Sequence, residues 1–273
     1  MKNLLIYINP RKDFDEKGKV TVKIQIDNSL DLGWEKDDIL LITNFPYQYG
    51  GVESIVISDD TYCTFDPLST KTYTIPNLFE KTRIKKGEIY WAHDLDVFQN
   101  VVIPEAEIES ELGAADLGLT DKGRMPRWNG GSLFFKETAR DIFEATKEIG
   151  YKYETTDEVA LMVLATNNLL WATEPEPEET IGDRIVEANI PGMENASKRI
   201  KKINITYNFR MWNIRSTYPM AVKPIRAVHF NPLDTLIYGG IHVLDFFMYG
   251  KNKIHKVLMP ERLIKIFHKH GIK

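Results

Sequence analysis

Residues 89–98 read Ile89-Tyr90-Trp91-Ala92-His93-Asp94-Leu95-Asp96-Val97-Phe98. An apolar, aromatic run ends abruptly in two carboxylates spaced i and i+2. Side chains alternate along a strand, so a strand running through both acids would set Asp94 and Asp96 on one face. Two acids converging at the end of a buried strand make a site for a hard divalent cation. Such a site has a use when an anion sits across the ion, and a diphosphate is the natural choice.

Working outward, residues 4–8, 39–43, 54–57 and 88–92 form short apolar runs bounded by turn-forming or charged residues, as buried strands are. Residues 20–32 fit two readings. Val20, Val22, Ile24 and Ile26 alternate like a strand, and a helix stopping at Gly33 also fits. A helix is the expectation, because strand–helix–strand order gives a parallel sheet its covering layer. A short helix is expected over 79–85. Residues 104–112 are acidic and mixed, 123–131 read as an irregular Gly/Arg/Pro/Trp loop, and 132–135 as a brief strand. Helical spacing covers 136–149, through Ala139, Ile142, Phe143 and Thr146. A further helix is expected over 156–165, capped by Thr155 or Thr156, with Asp157 and Glu158 in its first turn. Residues 173–180 are a stiff, solvated Glu-Pro loop. Late strands are expected at 204–212 and 226–230. The expected fold is α/β, a single domain over 1–250 with a mostly parallel central sheet flanked by helices. Residues 251–273, with seven Lys/Arg against Glu261, read as a basic amphipathic helical tail.

Bulk composition narrows the class. The 273 residues, 43% hydrophobic and 27% charged, suffice for a sizeable core. A formal charge of −4 argues against generic nucleic-acid binding. The single cysteine, Cys63, rules out an intrachain disulfide framework and a cysteine zinc cluster, and suits a reducing compartment. The apolar run near the N-terminus is shorter than a signal peptide's core. Residues 235–249 are broken by His242 and Asp245 and are too short to cross a bilayer. The expectation is a cytoplasmic protein without a transmembrane segment.

Three later segments supply parts that match the acidic pair. Asn129-Gly130-Gly131 precedes an apolar strand, and paired glycines let the backbone approach a ligand closely or simply close a loop. Asp157 and Glu158 at a helix start accept hydrogen bonds from sugar hydroxyls, assist chemistry, or serve as capping acids. His229 ends a late strand, as a third metal ligand or as a hydrogen-bonded structural residue. Two carboxylates and one imidazole leave open positions for phosphate oxygens and water, and this mixed set suits Mn²⁺ or Mg²⁺. Phe45, Tyr47 and Tyr49 follow the 39–43 strand, where they flank a nucleotide base or pack within the loop.

Taken in this order, these segments resemble the metal-dependent glycosyltransferases of the GT-A fold, closest in style to the retaining family that includes glycogenin. The resemblance spans roughly residues 3–235 and rests on short motifs. It implies that Asp94 faces the ribose and the metal, that Asp96 and His229 bind the metal, and that Asn129, Gly130 and Gly131 line the sugar pocket. It implies a nucleoside-diphosphate sugar as donor and a hexosyltransferase-like reaction, with Asp157 or Glu158 as base or sugar-hydroxyl acceptor. Two departures stand out. The family commonly has Asp-Gln where this chain has Asp157-Glu158. Its histidine is followed by Gly and a Lys-Pro-Trp run, whereas Phe230-Asn231-Pro232 follows here. The absent lysine would touch the diphosphate, and Arg226, Arg124 or Lys81 is expected to compensate. The acceptor stays open among a glycan, a lipid-linked sugar, a protein and a modified nucleic acid. The tail either docks on the domain as a solvated helix or contacts an anionic acceptor or membrane surface. The alternatives are a sugar-phosphate nucleotidyltransferase and a non-catalytic nucleotide-sugar or glycan-binding module.

Overall fold

The computed structural model describes residues 1–81, 83–121, 128–166, 190–210, 217–230 and 258–272. The Glu-Pro loop at 173–180, the apolar stretch at 235–249, Arg124 and Asn231-Pro232 lie outside the described residues.

The four early apolar runs are strands: β1 (Lys2–Tyr7), β2 (Ile39–Thr43), β4 (Val52–Val56) and β5 (Ile89–His93), with a two-residue β3 (Gln48–Tyr49) hairpinned onto β4. Between β1 and β2 the helical reading holds. Helix α1 (Glu16–Asp31) is capped by Asp15, whose carboxylate accepts the Gly18 N–H at 2.5 Å. A Cβ at Gly18 would come within 2.3 Å of the Tyr7 ring, so this glycine lets α1 lie directly on β1. The chain continues through α2 (Thr70–Glu80), β6 (Val97–Gln99), α3 (Glu105–Leu112), β7 (Leu117–Asp121) and β8 (Trp128–Lys136). Next come α4 (Arg140–Tyr153), α5 (Asp157–Thr166), a four-residue α6 (Ala196–Arg199), β9 (Ile200–Ile203), β10 (Phe209–Arg210), β11 (Ala227–His229) and α7 (Glu261–Lys269).

Eight strands form one sheet in the order β3-β4-β2-β1-β5-β8-β7-β9. The run β4-β2-β1-β5 is parallel, and so is β7-β9; β8 lies antiparallel to both β5 and β7. Alternation along the strands divides the core. Leu4, Ile6 and Ile42 face α2, α4 and α5, while Leu5 and Leu41 face Val22 and Ile26 of α1. A second small sheet, β10-β11-β6, hangs from the end of β5. The connections from β1 run to β2 on one side and, later, to β5 on the other. The C-terminal edge of the sheet at β1 is therefore a switch point, where ligands of open α/β sheets bind.

Several expectations need correction. The acidic pair is not part of the strand: β5 stops at His93, and Asp94–Asp96 form the turn into β6. The helix expected at 79–85 is α2, which ends at Glu80. Its Thr-rich sequence and internal Pro76 mask a helix that burial of Tyr73, Ile75, Leu78 and Phe79 stabilises. The loop expected up to Gly131 is already strand from Trp128, because pairing with β7 and β5 overrides the poor strand propensity of its glycines. The strand expected over 204–212 shrinks to β10, since Asn204 accepts the Thr206 N–H and folds the chain into a 3-10 turn first.

The C-terminal helix is docked. Leu263 and Phe267 are fully buried with Phe98, Phe230 and Ile24. Arg262 donates to Asn28 Oδ1 (2.6 Å) and to the carbonyls of Gln99 (2.7 Å) and Asn100 (2.6 Å). Lys269 and His270 both meet Asp27 Oδ2, at 2.7 and 2.6 Å. Among the described tail residues, Arg262, Lys269 and His270 are thus directed at the protein itself. No helix among the described residues is long and apolar enough to cross a membrane.

Candidate metal centre

The turn between β5 and β6 is held by its backbone. The Asp94 N–H donates to Gly131 O at 2.8 Å, the Val97 N–H to Asp94 O at 3.0 Å, and the Phe230 N–H to Asp96 O at 3.0 Å. The last bond fastens the turn to the end of β11, which carries His229. Antiparallel pairing sets His229 opposite Val97, one residue past Asp96. Asp94, Asp96 and His229 therefore each bring one ligand atom to a common point, all within 4.8 Å of one another. His229 Nε2 lies 3.3 Å from Asp96 Oδ1 and 4.0 Å from Asp94 Oδ2. The 3.3 and 4.0 Å separations lie within the roughly 4.4 Å that two bonds of about 2.2 Å to one ion span. His229 is 2% exposed, and its Nδ1 is buried without a hydrogen-bond partner among the described residues. The ring is thus oriented by packing and by what its Nε2 faces. One cation satisfies both carboxylates and the imidazole, so the donor set fits a divalent ion.

The cation that sequence reasoning missed is Lys71, in the first turn of α2. It is 7% exposed, and its Nζ lies 2.6 Å from Asp94 Oδ1 and 2.6 Å from Gly130 O. Asp94 is thereby divided: Oδ1 meets Lys71, and Oδ2 faces His229. Burial pushes the Asp94 carboxyl up, but Lys71 and His229 outweigh it and hold it below the usual carboxylate range. A positional signal for Lys71 was present. A helix that follows a parallel strand starts at the C-terminal edge of the sheet, where the acids also lie.

The glycines do distinct work. A Cβ at Gly131 would stand 2.6 Å from Asn129 Oδ1, 2.8 Å from Asp94 Oδ2 and 2.9 Å from His229 Cε1, so only glycine fits against the ligands. A Cβ at Gly130 would face the Asp157 carboxylate at 3.6 Å, an ordinary contact. Asn129 Oδ1 accepts from the Gly131 N–H (2.6 Å) and from Asn208 Nδ2 (2.8 Å), which locks this corner of β8. Asp157 is anchored at the start of α5. Its N–H donates to Ser69 Oγ at 2.7 Å, and its Oδ2 accepts from the Thr72 hydroxyl, beside Lys71. Burial pushes the Asp157 carboxyl up to about 6. Glu158, the next residue of α5, is half-buried.

Other expected residues scatter. Phe45 and Tyr47 join Tyr7 and Phe14 in an aromatic cluster, with ring centroids 4.8 Å (Phe14–Phe45) and 4.6 Å (Phe14–Tyr47) apart. Leu95, between the two acids, packs on the same apolar group as Tyr7, Phe14 and Tyr47. Tyr49 instead donates to Asp27 at 3.0 Å, on the seam between α1 and α7. Lys81 is exposed at the C-terminal end of α2, about 15 Å of helix from Lys71. Arg226 forks onto Glu107 and donates to Val102 O at 2.8 Å. Neither cation joins the acids. Arg210 is better placed: β10 sets it opposite His229 in parallel register, so the two side chains leave the same face.

No family model and no curated protein matches the sequence. Solved structures do match in shape. The galactosyltransferase LgtC, in complex with donor and acceptor sugar analogs, superposes with a TM-score of 0.55 at 11% identity, covering 98% of this chain and 96% of that one. The glycosyltransferase GlyE of Streptococcus pneumoniae TIGR4 superposes with a TM-score of 0.53 at 10% identity, over 100% of this chain and 65% of that one. This protein is built on the GT-A glycosyltransferase fold.

Proposed function

We propose that the protein is a metal-dependent, hexosyltransferase-like glycosyltransferase that moves a sugar from a nucleoside-diphosphate donor to an acceptor hydroxyl. The observation that carries this reading is the convergence of Asp94, Asp96 and His229, although His229 follows Asp94 by 135 residues (229 − 94). They would hold Mn²⁺ or Mg²⁺, and the bound ion would supply Lewis-acid stabilisation to the diphosphate. The chain's own groups do the rest. Lys71, and Arg210 from the face of His229, add positive charge where the leaving group gains negative charge. Asn129, Gly130 and Gly131 border the sugar, and Phe45 and Tyr47 border the nucleotide base. With its pKa near neutrality, Asp157 can take a proton from, or share one with, a sugar or acceptor hydroxyl. Glu158 is the second carboxylate on that side.

A donor and a sugar acceptor are consistent with the complex in which LgtC was solved. The acceptor class extends to glycans, lipid-linked sugars, proteins and modified nucleic acids. We assign residues 1–250 to the catalytic unit and 251–273 to a basic C-terminal tail whose helix α7 is docked on it, in a cytoplasmic setting that suits the lone Cys63. A nucleotidyltransferase would want a glycine-rich, basic loop after β1, and Asn9-Pro10-Arg11-Lys12 has no glycine. A thermal-shift screen of nucleotide sugars, with and without Mn²⁺, tests the proposal. Metal-dependent stabilisation by one nucleoside-diphosphate class is expected, and it disappears in Asp96→Asn. Equal shifts with and without metal would favour a binding module instead.

A further inference from the structure

Beneath the acidic turn lies a buried polar assembly that no ligand role explains. Gln25, on α1, is 1% exposed, and its single Nε2 donates to Leu95 O and to Val97 O, both at 2.8 Å. His93, the last residue of β5, is also 1% exposed. Its Nδ1 lies 2.8 Å from Asp94 O and its Nε2 2.9 Å from Asn3 Oδ1; both partners are acceptors, so the neutral ring donates to one of them, and the Nδ1–H tautomer gives its proton to Asp94 O. Asn3 in turn meets Ser29 Oγ at 2.9 Å, and the Ser29 hydroxyl donates to Gln25 O at 2.8 Å. The circuit closes: Gln25, Ser29, Asn3 and His93 join α1, β1 and β5 underneath the turn. Four consecutive carbonyls, those of Asp94, Leu95, Asp96 and Val97, each meet a donor of the protein: the Val97 N–H and, in its Nδ1–H tautomer, His93; then Gln25, the Phe230 N–H and Gln25 again.

From this geometry we infer that Gln25 and His93 are positioning residues for metal binding, fixing the turn so that Asp94 and Asp96 are presented before the ion arrives. The inference rests on the metal reading of Asp94, Asp96 and His229. Neither residue touches the ion. Both act through backbone carbonyls of the ligand turn, one step beyond the groups bonded directly to metal ligands, whose loss typically weakens binding about 10–100-fold. The arrangement is more than core filling. A glutamine and a histidine buried among apolar neighbours are tolerated because every carbonyl they meet belongs to this one turn or to the circuit beneath it.

The test is Mn²⁺ titration by calorimetry on the intact chain, with melting temperature followed in parallel. Gln25→Met keeps the volume and removes the two donations, and at least a tenfold weaker Mn²⁺ dissociation constant is expected well below the melting temperature. His93→Leu is expected to show a similar loss. His93→Asn, whose Nδ2 reproduces the Nδ1 donor, is expected to stay within about threefold of the parent. Asp96→Asn separates the two levels of argument. If it leaves Mn²⁺ binding intact, the metal centre itself is wrong. If it abolishes binding while Gln25→Met and His93→Leu fold and bind Mn²⁺ within twofold of the parent, the positioning role is refuted and the residues serve stability alone. Should Gln25→Met fail to fold, the His93 pair decides: equal affinity in the Leu and Asn variants overturns the inference.

Discussion

Replacing Gly131 by alanine exchanges a hydrogen for a methyl group at the point where the three ligand residues converge. Gly131 has strand geometry without positive φ, so alanine meets no backbone objection, and the effect is purely steric. Ordinary contact with a new Cβ begins near 3.4 Å, while the three nearest atoms stand at 2.6, 2.8 and 2.9 Å. The shortfalls are about 0.8, 0.6 and 0.5 Å, and close-packed interiors do not absorb such displacements freely. None of the three neighbours can yield independently. Asn129 Oδ1 holds the Gly131 N–H and Asn208, Asp94 is tied to Lys71, and the His229 ring is 2% exposed. Overpacking of this kind typically destabilises by about 1–3 kcal/mol. The larger effect falls on the ligands, because misplacing reacting groups by about 1 Å can lower rates about 100-fold. Gly131→Ala is therefore expected to fold, to lose about 1–3 kcal/mol in urea denaturation, and to bind Mn²⁺ at least tenfold more weakly by calorimetry. Gly130→Ala is the matched control: its Cβ finds an ordinary 3.6 Å contact with Asp157, so Mn²⁺ affinity should hold within about twofold. Equal Mn²⁺ affinity in the parent and in a folded Gly131→Ala would refute the placement of the ligands around this residue.

Other expectations follow from the same geometry. Lys71→Met removes the ammonium that competes with a cation for Asp94, so Mn²⁺ binding without nucleotide should be unchanged or tighter. Sugar transfer should meanwhile drop about 100-fold or more, and a parallel fall in both would count against the assignment. The raised Asp157 pKa means that the folded state holds this proton more tightly than the unfolded chain. Its contribution to stability is full below pH about 4 and is lost as pH rises to about 6, an effect of about 3 kcal/mol. Asp157→Asn should accordingly be more stable than the parent at pH 7 and lose that advantage by pH 4, with transfer impaired throughout; pH-dependent denaturation and activity profiles check this. Phe267→Ala empties a fully buried position beneath α7 and should destabilise by about 3–5 kcal/mol in equilibrium unfolding, and a change under 1 kcal/mol would show that the tail contributes little to the core.

What the sequence made legible was local. Each apolar run of the parallel half became a strand, and Asp94 and Asp96 share a site although the reason offered for it, strand alternation, is wrong. A turn pinned by backbone bonds brings them together instead. Lys71 was hidden because its importance lies in where α2 begins, and the Thr-Lys-Thr sequence looks like an ordinary polar segment. Gln25 and His93 were hidden for the opposite reason. Gln25 sits among the alternating valines and isoleucines of α1, and only packing against the turn reveals what its carboxamide meets. Arg226 was expected to stand in for the absent diphosphate lysine, yet it forks onto Glu107, while Arg210, unremarked in the sequence, shares the face of His229.

The register of β11 against β6 is the step on which the metal centre turns. His229 pairs with Val97, and the next amide, that of Phe230, donates to Asp96 O. Because strand side chains alternate, a slip of one residue would send His229 into the apolar layer of Phe98 and Phe267 and bring Val228 to the acids. That slip is blocked from both sides. Val228 and Phe230 belong to the layer containing Phe98, Leu263 and Phe267, and Ala227 faces the opposite cluster with Trp91, Val97 and Phe134. Moving the register would bury an imidazole among aromatic rings and push Phe230 out of its layer. The apolar residues on either side of His229 therefore select the geometry of the ligand set as firmly as the ligands do. On this reasoning Val228→Asp, a substitution that touches no ligand, should weaken Mn²⁺ binding along with stability. Asp96→Asn should weaken Mn²⁺ binding alone, and the contrast can be read by running calorimetry and denaturation on the same two proteins.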